Sequence, residues 1–114
     1  MFKSLKLYLG GIVNLDQTLT CLVDFGYKRQ DAVSEEGGFS RRGGIIDIFP
    51  FAFELPIRIE LEIDKVASIK TFDPLTGQPL WEHQMVIILP VKKIHAFKTV
   101  TFSEEVPLKN FLDI

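Results

Sequence analysis

Residues 39–50, Phe39-Ser40-Arg41-Arg42-Gly43-Gly44-Ile45-Ile46-Asp47-Ile48-Phe49-Pro50, read as a β-strand interrupted by paired glycines and stopped by a proline. The β-branched isoleucines suit a pleated, buried surface, and a proline has no N–H for the strand ladder. The preceding run, Tyr27 to Val33, also has strand character. Between the two lies Ser34-Glu35-Glu36-Gly37-Gly38, whose glycines adopt positive φ without steric cost. The spacing predicts an antiparallel hairpin whose return strand begins at Phe39. Gly43-Gly44 is expected to mark a bulge or a close backbone approach, and Asp47 to be an exposed acid on a buried strand.

Outward from this hairpin the periodicities continue. Ile57, Ile59, Leu61 and Ile63 alternate with Arg58, Glu60, Glu62 and Asp64, the pattern of a strand with one face in the core. A turn near Asp64-Lys65 leads to a strand over Val66 to Phe72. Asp73-Pro74-Leu75-Thr76-Gly77 is rich in turn formers and precedes a further strand from Met85 to Leu89. Ala96 to Phe102 is expected to be a last strand, and Pro107 to Ile114 a frayed end.

Upstream, Leu5, Leu7 and Leu9 alternate up to Gly10-Gly11. Asn14 is placed to cap a helix, with Gln17 three residues on, and Leu15, Leu19, Leu22 and Val23 recur at helical spacing up to Gly26. The expectation is a single α+β domain over residues 1–114, a mostly antiparallel sheet of about five to seven strands with one packed α-helix.

Composition narrows the function classes. The chain has 114 residues, 46% hydrophobic and 25% charged, within the range of one globular domain. A formal net charge of −2 gives no global attraction to nucleic acid or anionic lipid. No apolar run approaches the roughly 18 residues of a membrane helix, and the N-terminal stretch, broken by Gly10-Gly11, does not read as a signal peptide. The lone Cys21 cannot form an intrachain disulfide, which fits a reducing, cytoplasmic setting, and it reads as a packing residue.

Trp81 and most phenylalanines read as core, whereas Phe51 and Phe53, between Pro50 and Pro56, are candidates for exposed interface anchors. His83 and His95 stand without companion ligands, so neither a metal nor a cofactor is expected. Gly43-Gly44 is not followed by the Gly-Lys-Ser/Thr of a phosphate loop. Glu35-Glu36 and Glu104-Glu105 are adjacent pairs, which extended backbone points to opposite sides, a poor start for carboxylate catalysis. The chain is therefore read as non-catalytic. Lys92, Lys93, His95 and Lys98, with Phe97 among them, form the basic cluster on which an alternative nucleic-acid-binding reading rests.

The order Gly26-Tyr27-Lys28-Arg29, then Gly38 to Pro50, then Pro56-Ile57-Arg58-Ile59-Glu60, resembles the interaction domain shared by UvrB and the transcription-repair coupling factors. Ser68 to Asp73, Thr76-Gly77 and Ile87-Ile88-Leu89-Pro90 are similar to its closing strands. The resemblance covers residues 15–90 and leaves 91–114 as a tail outside it. Phe39-Ser40 and Phe72-Asp73-Pro74 lean toward the coupling factor, since UvrB typically carries a further arginine where Ser40 stands. Leu61-Glu62-Ile63-Asp64-Lys65 departs from the family pattern, which more often has an aromatic followed by an acidic turn.

The resemblance implies a domain that docks on UvrA in nucleotide excision repair and touches DNA only indirectly. In a larger parent the same surface is implied to dock on another domain, which masks it. The arginines implied to contact UvrA fall at Arg29 and Arg42, with Ser40 as a polar neighbour and Arg41 as the weaker candidate. A rigid guanidinium fork pairs bidentately with carboxylates, so an acidic partner surface is implied. Strand alternation is expected to let only one of Arg41 and Arg42 share a face with Arg29, and Arg42 is the one chosen.

Overall fold

The computed structural model describes residues 4–91. In chain order the elements are β1 (Leu5–Tyr8), α1 (Leu15–Asp24), β2 (Lys28–Arg29), β3 (Gly38–Arg42), β4 (Ile45–Ile48), β5 (Ile57–Glu62), β6 (Lys65–Phe72), β7 (Pro79–Glu82) and β8 (Met85–Ile88). Strands β2 to β7 form a six-stranded sheet in sequence order, and β1 pairs with β8 in a separate two-stranded ribbon. Every pairing is antiparallel except β2 with β3. The chain is thus α+β, with a single helix among the described residues.

The helix begins where the sequence places it. The Asn14 side chain accepts a hydrogen bond from the Gln17 backbone N–H at 2.9 Å, satisfying a donor that the first turn leaves open. Gly26, at φ +100°, follows the last turn. Cys21 and Leu22 of the helix join Leu7, Val86 and Ile88 of the ribbon and Phe39, Ile46, Ile48, Ile57, Ile59, Val66 and Ile69 of the large sheet in one buried cluster. Fully burying one such isoleucine contributes about 1.5–3 kcal/mol, so this inner face supplies the main apolar stabilisation. Cys21 is a packing residue, and burial raises its thiol pKa, with Asp24 adding to the rise.

Several expectations are corrected. The strand expected over Tyr27 to Val33 contracts to Lys28–Arg29 and runs parallel to β3, because residues 30–37 loop round and bring the chain back in the same direction. The 39–50 stretch is two strands: Arg42 pairs with Ile45, and Gly43-Gly44 is the tight turn between them, with Gly43 at φ +57°. Gly44 is also the close approach expected, since a Cβ there would lie 2.8 Å from the Leu61 carbonyl oxygen.

The 57–63 alternation stops early. Register passes from Glu60 opposite Ser68 to Leu61 opposite Val66, so β6 carries an extra residue at Ala67. Ile63 then falls in the two-residue turn before Lys65, at φ +63° and 96% exposed. Trp81, expected in the core, is 55% exposed on β7, an edge strand of the sheet. Phe51 and Phe53 are partly buried and pack against the core cluster, not free anchors. The expected strand over Ala96 to Phe102 and the tail lie outside the described residues.

Candidate partner-binding surface

While one face of the large sheet is apolar, the other is a grid of polar residues fixed by strand register. Ser40, Asp47, Arg58, Lys70 and Glu82 lie directly opposite one another across five successive strands. The next row along runs Arg42, Ile45, Glu60 and Ser68. Since cross-strand partners share a face, these two rows form one surface.

At its centre Arg58 forks onto Asp47, its Nε donating to Oδ1 at 2.8 Å and its Nη2 to Oδ2 at 2.9 Å. The guanidinium carbon lies 4.5 Å from the centre of the Phe72 ring, within cation–π range. Asp47, expected exposed, is buried, because Arg58 provides the charge and hydrogen bonds that a carboxylate out of water requires. The hydrogen bond to Asp47 raises the Arg58 pKa above its ordinary value against the opposing effect of burial, and Asp47 and Glu60 also raise it by charge. One row along, the Ser68 hydroxyl donates to Glu60 Oε1 at 2.6 Å. These contacts fix the strands beneath the hairpin tip.

The four sequence-derived residues are distributed unequally. Ser40 is buried beside Asp47, and Arg42 is exposed at the turn on the same face. A cavity of about 160 Å³ lies between them, bounded by Arg58 and Phe72 and by the Asp31–Val33 segment of the loop after β2. Arg41 alternates to the other side, and its Nε donates to the Gly43 carbonyl at 2.8 Å, tying it to its own turn.

Arg29 is exposed on β2 at the edge of the sheet, paired in register with Phe39. By alternation Arg29 thus has the parity of Arg41, contrary to the expected grouping with Arg42. The reason is the parallel β2–β3 pairing, which the antiparallel hairpin reading did not contain. The structure therefore brings Arg42 and Ser40 together and places Arg29 apart from them.

The Arg58–Asp47–Phe72 arrangement was not found from the sequence. Its one signal was Asp47 lodged in an apolar run, and only the strand register shows that Arg58 opposes it. A larger cavity, about 380 Å³, lies on the opposite side of the molecule's polarity, lined mainly by Phe53, Leu55, Ile57, Trp81, Met85 and Ile87. His83 lies at its margin, with its ring Nε2 2.6 Å from the Thr71 hydroxyl. Among the described residues no group of three or more His, Cys, Asp or Glu is placed to hold a metal, and no helix is long and apolar enough to cross a membrane. The Lys92–Lys98 basic cluster lies outside the described residues.

Comparison with known proteins adds an independent finding. The family described as the UvrB interaction domain matches residues 5–94. A transcription-repair-coupling factor from Staphylococcus aureus (strain MSSA476) is 54% identical over 69 residues, 60% of this chain and 6% of that relative. The transcription-repair-coupling factor of Bacillus subtilis (strain 168) is 37% identical over 106 residues, 86% of this chain and 9% of its own length. The chain thus spans less than a tenth of these curated relatives.

Proposed function

The chain belongs to the UvrB interaction domain family, and from that membership we propose that it is a non-catalytic module of nucleotide excision repair whose role is to dock on UvrA. Its relatives are named as coupling factors between transcription and repair, and the proposal extends to this chain the part of such a protein that makes a protein contact. The observation that carries it is the placement of Arg42. That residue is exposed at the end of β3, next to a two-residue turn, on the sheet face that carries the Arg58–Asp47 fork and the buried Ser40.

The rigid strand beneath fixes the point from which Arg42 reaches, so the freedom lost on binding is that of its side chain, and the planar fork loses less of it per hydrogen bond formed. An acidic patch on UvrA is the matching surface. Arg29, at the sheet edge, adds positive charge at a distance, which favours encounter rate more than final affinity. Docking of the same surface on another domain of a longer parent, and a cytoplasmic setting in which the single cysteine stays reduced, belong to the same proposal.

The test is a titration of purified UvrA onto the 114-residue chain. Arg42→Glu is expected to cost about 2 kcal/mol or more of binding with the melting temperature little changed, since among the described residues the Arg42 side chain makes no hydrogen bond or ion pair that its loss would break. Undiminished binding by Arg42→Glu would overturn the assignment.

A further inference from the structure

Ile63 combines two features that packing does not account for. Its backbone is left-handed, at φ +63°, a region that crowds a β-branched side chain. Its side chain is 96% exposed, so no packing among the described residues compensates for that conformation. Gly43, at the corresponding first position of the neighbouring β3–β4 turn, is also left-handed but has no side chain to crowd.

The turn that carries Ile63 lies at the same end of the sheet as the turn that follows Arg42. The Leu61 N–H donates to the Gly44 carbonyl at 2.7 Å, so the β5–β6 turn lies beside the β3–β4 turn. On its other flank, Ile12 bridges Lys65 and Val13 N–H donates to the Asp64 carbonyl at 2.8 Å. Ile12 is 69% exposed. Lys65 is paired with Glu62, and Glu62 follows Glu60 by two residues, so register puts Ile12 on the face that carries Glu60 and Arg42. Across this end of the sheet run, in order, an arginine turn, an isoleucine turn and a second exposed isoleucine.

We propose that Ile63 and Ile12 form an apolar anchor of the UvrA-binding surface, beside Arg42, and that they fit an apolar hollow on that protein bordered by carboxylates opposite Arg42 and Lys65 and by cations opposite Glu60, Glu62 and Asp64. This rests on the UvrA-docking reading and extends it to residues outside the arginine set. Buried apolar centres with charged borders are the usual anatomy of protein interfaces. Glu60, Glu62 and Asp64 stand among Arg42 and Lys65, a mixed charge pattern that a bordering protein surface can match and an anionic bilayer cannot. The backbone conformation of Ile63 has the character of strain retained where a side chain is needed outside the fold.

The parent chain, Ile63→Gly, Ile63→Asn and Arg42→Glu are each melted, sedimented at rising concentration and titrated with purified UvrA. Glycine and asparagine both tolerate the left-handed region, so Ile63→Gly is expected to melt about 4 °C higher while both Ile63 variants bind UvrA about tenfold more weakly. Stability and affinity then move in opposite directions, which loss of fold cannot produce. Parent-like UvrA binding by both Ile63 variants, beside a loss in Arg42→Glu, overturns the anchor and leaves the docking reading intact. A parent chain that does not bind UvrA overturns both. Self-association that depends on Ile63, without any change in UvrA affinity, assigns the patch to a second copy and overturns the anchor as well.

Discussion

Asp47 is buried against the Arg58 guanidinium, and the consequence of removing its carboxylate can be stated in sign and size. Asp47→Ala leaves the Arg58 guanidinium partly buried against Phe72 without its carboxylate. Breaking such a pair on one side costs about 3 kcal/mol, more than replacing both members together with apolar residues. Urea unfolding of Asp47→Ala and of the Asp47→Ala/Arg58→Met double variant tests this, with the single variant expected to be the less stable of the two. The effect is hard to read from sequence for a definite reason. Asp47 and Arg58 are joined by the β4–β5 register, which the chain reversal between Phe49 and Pro56 sets and which could have been placed a residue away. A shift of one residue would have turned Asp47 to the core face. Ile63 shows the same limit from the other side, because strict alternation along β5 gave no sign that Ala67 would bulge on its partner.

Tyr27 joins elements that are remote in the chain. Its hydroxyl accepts a hydrogen bond from the Phe51 N–H at 3.0 Å and donates to the Leu89 carbonyl at 3.3 Å, while its ring meets that of Phe51 at 4.4 Å between centroids. The segment after β4 and the end of β8 are thereby held to the start of β2. Burial pushes the Tyr27 pKa above the ordinary range, with Phe51 opposing and Glu36 assisting. The folded state thus retains a proton that the unfolded chain loses near pH 10. Stability from this group is complete below that pH and declines as pH rises through and beyond it. Denaturant midpoints measured from pH 8 to 11 are expected to fall more gently in Tyr27→Phe than in the parent. The variant is also about 1 kcal/mol less stable at pH 8, because a hydrogen-bond acceptor is gone. At this scale the helix was legible because its caps, Asn14 and Gly26, are local signals. The strands β4, β5, β6 and β8 were legible from apolar runs and alternation. The β2–β3 pairing was not, because a short parallel contact leaves no pattern in two residues, and β7 was missed because Pro79-Leu80-Trp81-Glu82 has none of the alternation of a strand with a buried face.

As a whole the molecule has an apolar inner face covered by α1 and the β1–β8 ribbon, and a polar outer face locked by Arg58 and edged by the Arg42 and Ile63 turns. The α+β class followed from periodicity, whereas the arginines of the candidate surface were named only through the family resemblance. The division of that surface among Arg29, Arg41 and Arg42 followed from neither, since it is set by which strands meet. The ribbon has a further consequence, for mechanics. Leu5 pairs with Ile88, so the chain enters and leaves the described fold side by side. A pull on both ends acts across that pair, and its hydrogen bonds take the tension one after another instead of sharing it. Force applied through handles at residues 5 and 88 is expected to part the ribbon below the force needed when the handles are at 5 and 63, as optical-tweezer unfolding would show. Tension applied at Leu5 and Ile88 would therefore peel away β1 and β8 first, with the six-stranded sheet still paired.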